Sequence, residues 1–290
     1  MTWRPDSTDA YEACVVRVGR ADVHLKALRR LLDQFRKSNA YELVHQLDTQ
    51  TTPPEIIIIG RVLKRPPVMQ ASVLIADAIN NLRAALDNLV WALSVKFSGP
   101  APAYPIPFGS PWRKIAFPVV LNKKDWTHVS QRNLGLIDPA LATRFYRLQP
   151  CYRRKKQPRR DPLAVLDELW NIDKHRHLHL THAFVGLKDV LSTYPLKIVA
   201  EAPPGYADAL KHSYSIVSQH APGPVEDETE LGRVIEPNLT LAPEVYMHAY
   251  LAFDIAFEQG SPATGGLVIA TLEDLRQEVM GILESFRGAL

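Results

Sequence analysis

Ser72-Val-Leu-Ile-Ala-Asp-Ala-Ile-Asn-Asn-Leu-Arg-Ala-Ala-Leu-Asp-Asn-Leu-Val-Trp-Ala-Leu93 is the stretch against which the rest of the chain is read. Ile75, Ile79, Leu82, Leu86, Leu89 and Leu93 recur at three- and four-residue steps, which places them on one face of a helix. The Ala- and Leu-rich composition supports that helix on propensity. Pro66-Pro67 closes what precedes it and Gly99-Pro100 stops it. Beside the apolar stripe runs a polar one, Asn80, Arg83, Asp87 and Trp91, ending in an indole directed away from the main core. A Trp in that place calls for a second packing partner.

Working outward, Val15, Val18, Leu25, Leu28, Leu32 and Phe35 predict a long amphipathic helix from Asp9 to about Asn39. Tyr41 to Leu47 and Glu55 to Lys64 are β-rich runs separated by a Thr/Pro loop, which predicts a hairpin over 41–64. Residues 99–134, dense in Pro, Gly and aromatics, predict ordered irregular chain anchored by Trp126. A helix is expected over 139–148. Asp161-Pro162 is an N-cap and first-turn proline signal opening another helix through Leu163, Leu166, Leu169 and Trp170.

Beyond His182 the pattern turns to strands at Val190–Ala200, His212–Gln219, Glu230–Ile235 and Met247–Phe257, the last alternating cleanly. A helix over about 271–287 closes the chain. The fold class expected is α+β: helices packed around residues 70–95, with a mainly antiparallel sheet drawn from about 183–260 that the hairpin can join. The whole is read as one domain over 1–290, its helical part spanning about 9–182.

The 290 residues, 46% of them hydrophobic, suffice for a real core. Cys14 and Cys151 lie far apart with no metal-binding spacing, as free thiols of a reducing compartment do. The longest aliphatic run, Ile56–Ile59, is far short of a membrane span, and no apolar signal core opens the chain. A cytoplasmic protein without a membrane partner is expected. A Gly-rich phosphate loop, a dinucleotide fingerprint, a Gly-x-Ser-x-Gly elbow and a His-Glu-x-x-His pair are all missing, so no cofactor is implied.

The net charge of +3 conceals an asymmetry: residues 1–200 carry 30 Lys/Arg against 17 Asp/Glu, and 201–290 carry 4 against 14. The basic first part suits an anionic partner. Its densest part holds Arg144, Arg147, Arg153, Arg154, Lys155, Lys156, Arg159 and Arg160, interleaved with Phe145, Tyr146 and Tyr152. Cations among aromatics offer phosphate contact with base stacking, which points to single-stranded RNA. Solvated basic loops are the plain alternative.

On the helix from Asp161 the apolar face also contains Asp173 and His177, so Asp173 is expected to be buried. A buried carboxylate needs a cation, and Arg83 is the first candidate, Arg176 the second. The expected cluster is Asn80, Arg83 and Asp87 against Asp173 and His177. Its plain meaning is an ion pair that fixes helix register. His175, His179 and His182 share the opposite face, a spacing that suits a transition metal or phosphate. The plain alternative is a solvated His-rich helix end, since no Cys or acidic ligand accompanies them, and no metal is assigned.

Leu82-Arg-Ala-Ala-Leu-Asp-Asn-Leu-Val-Trp91 and Asn171-Ile-Asp-Lys-His-Arg176, with a hairpin before and Leu148-Gln-Pro150 between, resemble an uncharacterised bacterial protein family over most of the chain. In that family the position of Asn88 is commonly histidine, giving an Arg-x4-His that looks like the ribonuclease signature of HEPN-type helical domains. The resemblance implies an RNA-associated protein with a HEPN-like core, a metal-independent ribonuclease in bacterial stress or defence, with its Arg and His at a homodimer cleft. Arg would stabilise phosphate charge and His would move a proton. Asn88 breaks the signature because an amide cannot titrate, leaving His175 or His177 as the acid. The competing class is a non-catalytic binding or assembly protein in which the same cluster is structural and Trp91 marks an oligomer contact. Bare Arg-to-His spacing also occurs at Arg17–His24 and Arg176–His182, at the frequency of chance, and carries no weight.

Overall fold

A computed structural model describes residues 7–38, 40–52, 55–175, 180–184, 215–219, 227–235, 253–257, 262–263 and 267–290. The protein is α+β. Its helices are α1 (Ser7–Arg36), α2 (Val68–Ser98), α3 (Trp126–Asn133), α4 (Ala142–Leu148), α5 (Pro150–Arg153), α6 (Pro162–His175) and α7 (Val268–Phe286). The strands are β1 (Tyr41–Asp48), β2 (Glu55–Val62), β3 (Leu180–Phe184), β4 (Ser215–Gln219), β5 (Thr229–Ile235) and β6 (Phe253–Phe257). Among the described residues no helix is long and apolar enough to cross a membrane.

Residue contacts divide the chain into two compact units. One comprises Met1–Arg30, Met69–His179 and Phe257–Leu290, the other Leu31–Val68 and Leu180–Ala256. The physical reason lies in strand pairing. The hairpin β1–β2 leaves the helical stretch in which it is embedded and joins later strands, in the order β1-β2-β5-β4 with antiparallel neighbours. β3 and β6 pair separately.

In the first unit α2 buries Ala71, Ile75, Ala78, Ile79, Leu82, Ala85, Leu86, Leu89, Val90 and Leu93. At roughly 2 kcal/mol for each fully buried Leu or Ile side chain, this face contributes far more than helix propensity, whose differences are about 0.7 kcal/mol per residue or less. α1 contributes Cys14, Val18, Ala21, Leu25 and Leu28, all 3% exposed or less. The buried Cys14 thiol is raised from 9.0 to about 11 by loss of hydration and is unreactive at neutral pH. α7 buries Leu272, Leu275, Val279, Ile282, Leu283 and Phe286.

Apart from a 3-10 turn at Pro111–Lys114, the stretch expected to be irregular over 99–134 is so only to Asn122. Lys123–Asp125 form a 3-10 turn that continues into α3. Trp91 finds its second partner here: Trp112 stands edge-on to it at 5.1 Å. The indole that suggested an oligomer contact is thus used within the chain.

In the second unit Arg233 on β5 ties three strands together. Its Nη1 donates to Asp48 at 2.9 Å and Glu55 at 3.3 Å, and its Nε to Glu230 at 2.8 Å. Gly60 on β2 faces Leu231, whose Cδ1 stands 3.0 Å from where a Cβ would be, so the strands approach closely there. The expected strand over 190–200 lies outside the described residues.

Candidate functional site

The polar stripe of α2 meets α6 in antiparallel register, with Asn80 opposite Asp173 and Arg83 opposite Asp167 and Trp170. Asn80 Nδ2 donates to Asp173 Oδ2 at 2.9 Å. Arg83 is 5% exposed. Its Nη2 donates to the Phe117 carbonyl at 2.7 Å and lies 3.2 Å from Asp87 Oδ1. Asp87 Oδ1 in turn accepts the Phe117 N–H at 2.8 Å. One i,i+4 pair therefore holds both backbone groups of a single residue in the irregular connection.

The other side of the guanidinium faces α6. Nη1 stands 3.1 Å from Asp167 Oδ1 as an ion pair, while Nε and Nη1 are both buried without a hydrogen bond among the described residues. The guanidinium carbon lies 5.0 Å from the centre of the Trp170 ring, and Lys174 Nζ approaches the same ring to 3.0 Å. Two cations thus share one indole, each within cation–π range.

Two expectations are corrected. Asp173 is half-buried rather than buried, and it serves Asn80. The carboxylates facing Arg83 are Asp87 and Asp167, because in this register Asp173 lies opposite Asn80, further along α6 than the Trp170 ring that the guanidinium faces. Asn88 is half-buried. The His175 side chain, His177 and Arg176 lie outside the described residues. The signal for Asp167 was present in the sequence: Asp167, Trp170 and Lys174 follow at three- and four-residue steps, a stripe next to the apolar one.

Burial raises the Asp167 carboxyl above its ordinary 3.8. The Asp87 charge adds to this, and Arg83, Lys174 and the Asn171 amide oppose it. With the higher pKa in the folded state, folding takes up a proton. Asp167 therefore contributes stability below 3.8 that is lost as pH rises through its folded value. Compared with Asp167→Asn, which does not titrate, wild type is expected to lose relative stability over that window and then level off. Chemical denaturation of both proteins across acid pH checks this; a wild type that gains on the variant over the window contradicts it.

The basic run is divided between structure and surface. Arg153 forms a fork with Asp161, Nε to Oδ2 at 3.0 Å and Nη2 to Oδ1 at 2.6 Å, while its Nη1 reaches Glu278 on α7 at 2.5 Å. Asp161 is 1% exposed and caps α6 by accepting the Leu163 N–H at 3.0 Å. Arg153 is thereby withdrawn from the candidate RNA contacts: a buried carboxylate holds it. Phe145 is withdrawn also, being fully buried between Phe117 and Phe286.

The remaining cations face solvent. Arg144 lies 4.5 Å over Phe286, and Arg159 is 3.6 Å from Glu168 with both side chains exposed. Arg147, Arg154, Lys155, Lys156 and Arg160 are exposed, and none is in an ion pair with a described residue. Tyr152, 41% exposed, stands edge-on to Tyr146 at 5.2 Å, and Tyr146 packs at 5.2 Å on Trp126 of α3. Trp126 enters this surface only through the turn before α3, a tertiary approach no spacing rule reveals.

Chemically, the α2–α6 cluster pairs one sealed guanidinium with two carboxylates and a carbonyl, while the α4–α5 surface presents exposed cations, in no ion pair among the described residues, beside rings. Comparison of the chain with protein-family models, curated proteins and solved structures finds no match.

Proposed function

We propose that the chain is a non-catalytic RNA-associated protein: a HEPN-like core of helices around residues 70–95, with a mainly antiparallel sheet, that holds single-stranded RNA on the exposed part of the basic run. The family resemblance suggests a role in bacterial stress or defence, and the lack of an apolar signal core or membrane-length run in the sequence suggests a cytoplasmic setting. The observation that carries the reading is the contrast between the two arginine sites. Arg83, which a HEPN-type nuclease would aim at the scissile phosphate, is 5% exposed and faces two carboxylates. Arg147, Arg154, Lys155 and Lys156 are exposed and unpaired among the described residues. A phosphate needs an accessible cation, and these supply it. With Trp91 packed on Trp112, the reading does not require a homo-oligomer.

Anisotropy of a fluorescent 12-nucleotide RNA tests this, read at about 50 and 200 mM salt. Wild type is expected to bind with strong salt dependence. The triple variant Arg154→Gln, Lys155→Gln, Lys156→Gln is expected to bind more weakly, with a slope of log K on log salt shallower by roughly 2, as for three single-strand phosphate contacts. Arg153 is left in place because its loss disturbs the fold. A folded wild type that binds no RNA contradicts the proposal.

A further inference from the structure

We propose that Trp126, Tyr146 and Tyr152 form a stacking platform for the unpaired bases of a single-stranded nucleic acid, with Lys155, Lys123 and Arg147 placed for its phosphates. This rests on the RNA-associated reading above and names the chemistry of its contact.

Three rings from α3, α4 and α5 pack in sequence at 5.2 Å and 5.2 Å, with tilts of 47° and 63°. Aromatic rings of this size ordinarily go to the core, and Phe145, one residue before Tyr146, does so completely. Tyr152 instead keeps 41% of its surface exposed, and Trp126 and Tyr146 are only half-buried. Mutual packing holds the rings rigid, so a base laid on them costs little ordering entropy.

The charges around the rings suit the same ligand. Lys155 Nζ is 5.8 Å from the centre of the Tyr152 ring. Lys123 lies in the turn that leads into Trp126, a turn that also carries the carboxylate of Asp125. Lys123 is exposed, and so is Arg147, the residue after Tyr146. Rings with a cationic border bind bases by their faces, which every base has, and phosphates by charge. The result is little sequence preference and a strong preference for unpaired strands, since a duplex hides its base faces in its own stack.

The test uses the full chain with fluorescent U12 RNA, dT12 DNA and a 12-base-pair RNA duplex, comparing wild type, Tyr152→Ala, Tyr152→Phe and the triple charge variant. Tyr152→Ala is expected to weaken U12 and dT12 by about tenfold or more with an unchanged salt slope, because stacking is lost and charge is kept. Tyr152→Phe should retain wild-type affinity, and the duplex should bind weakly and respond to neither substitution. A circular dichroism melt equal to that of wild type establishes that Tyr152→Ala is folded.

The outcomes separate the two ideas. If Tyr152→Ala binds U12 as wild type does while the triple variant does not, the platform is wrong and the basic surface stands. A duplex bound as tightly as U12 likewise overturns the platform. If folded wild type binds none of the three probes, both fall. Equal losses on U12 and dT12 assign the site to single strands in general, whereas a loss on U12 alone assigns it to RNA.

Discussion

Replacing Arg83 by methionine is expected to lower the free energy of unfolding by about 3–5 kcal/mol, the range for removing one partner of a buried ionic cluster. The change leaves Asp87 and Asp167 without their shared cation and the Phe117 carbonyl without its donor. It also loosens the irregular connection, since Asp87 then holds only the Phe117 N–H. Equilibrium unfolding in urea reads the loss. Arg83→Lys should recover part of it, because an ammonium supplies charge but not two directed donors at a guanidinium's spacing. Simultaneous replacement of Arg83, Asp87 and Asp167 by apolar residues of similar volume should cost less than Arg83→Met alone, since no carboxylate is then left unpaired. A change within about 0.5 kcal/mol for Arg83→Met, the size of an ordinary surface substitution, would rule out the structural role.

Asp161→Ala is expected to cost about 3 kcal/mol, from the loss of a buried carboxylate paired with a guanidinium and of a helix cap. One side chain, 1% exposed, performs both tasks: its two oxygens take the Arg153 fork, and Oδ1 also takes the Leu163 N–H that begins α6. Arg153→Met should destabilise by a similar amount, and the double variant by much less than the sum, because both substitutions remove the same contact. Arg154→Gln next door should be nearly silent in stability and visible only in RNA binding. Equal, small effects at 153 and 154 would show that the run is uniformly a solvated surface.

The helices were legible where one period dominates. α2 and α6 carry unbroken three- and four-residue spacing, α2 with proline and glycine at its two ends and α6 with proline at its start, and the Asp161-Pro162 cap lies where its chemistry requires. The hairpin was legible from two β-rich runs, although its partner was not. Pairing of β2 with β5 joins residues from Glu55 with Ile235 to Gly60 with Thr229, far apart in the chain, and nothing local specifies it. α3 was hidden because prolines and glycines across 99–118 colour the reading of a segment in which 126–133 contains neither.

The polar cluster was anticipated in most of its members, Asn80, Arg83, Asp87 and Asp173, but not in the pairing of Arg83, which meets Asp167 where Asp173 was expected. Arg83 does seek a carboxylate on α6, but which one depends on helix register, which periodicity leaves open by a turn or more. The same limit applies to the basic run. Composition treats Arg153 and Arg154 alike, and only the fold shows that one is tied to Asp161 and Glu278 while the other faces water.

The most direct measurement is RNA cleavage by the purified wild-type chain, with 5′-labelled single-stranded RNA held at a protein concentration that binds it and resolved on a denaturing gel. A guanidinium enclosed by Asp87, Asp167 and the Phe117 carbonyl predicts that the RNA is bound and remains full length. Cleavage products that accumulate with wild type and vanish with a folded Arg83→Lys variant would contradict a structural Arg83 and restore the nuclease.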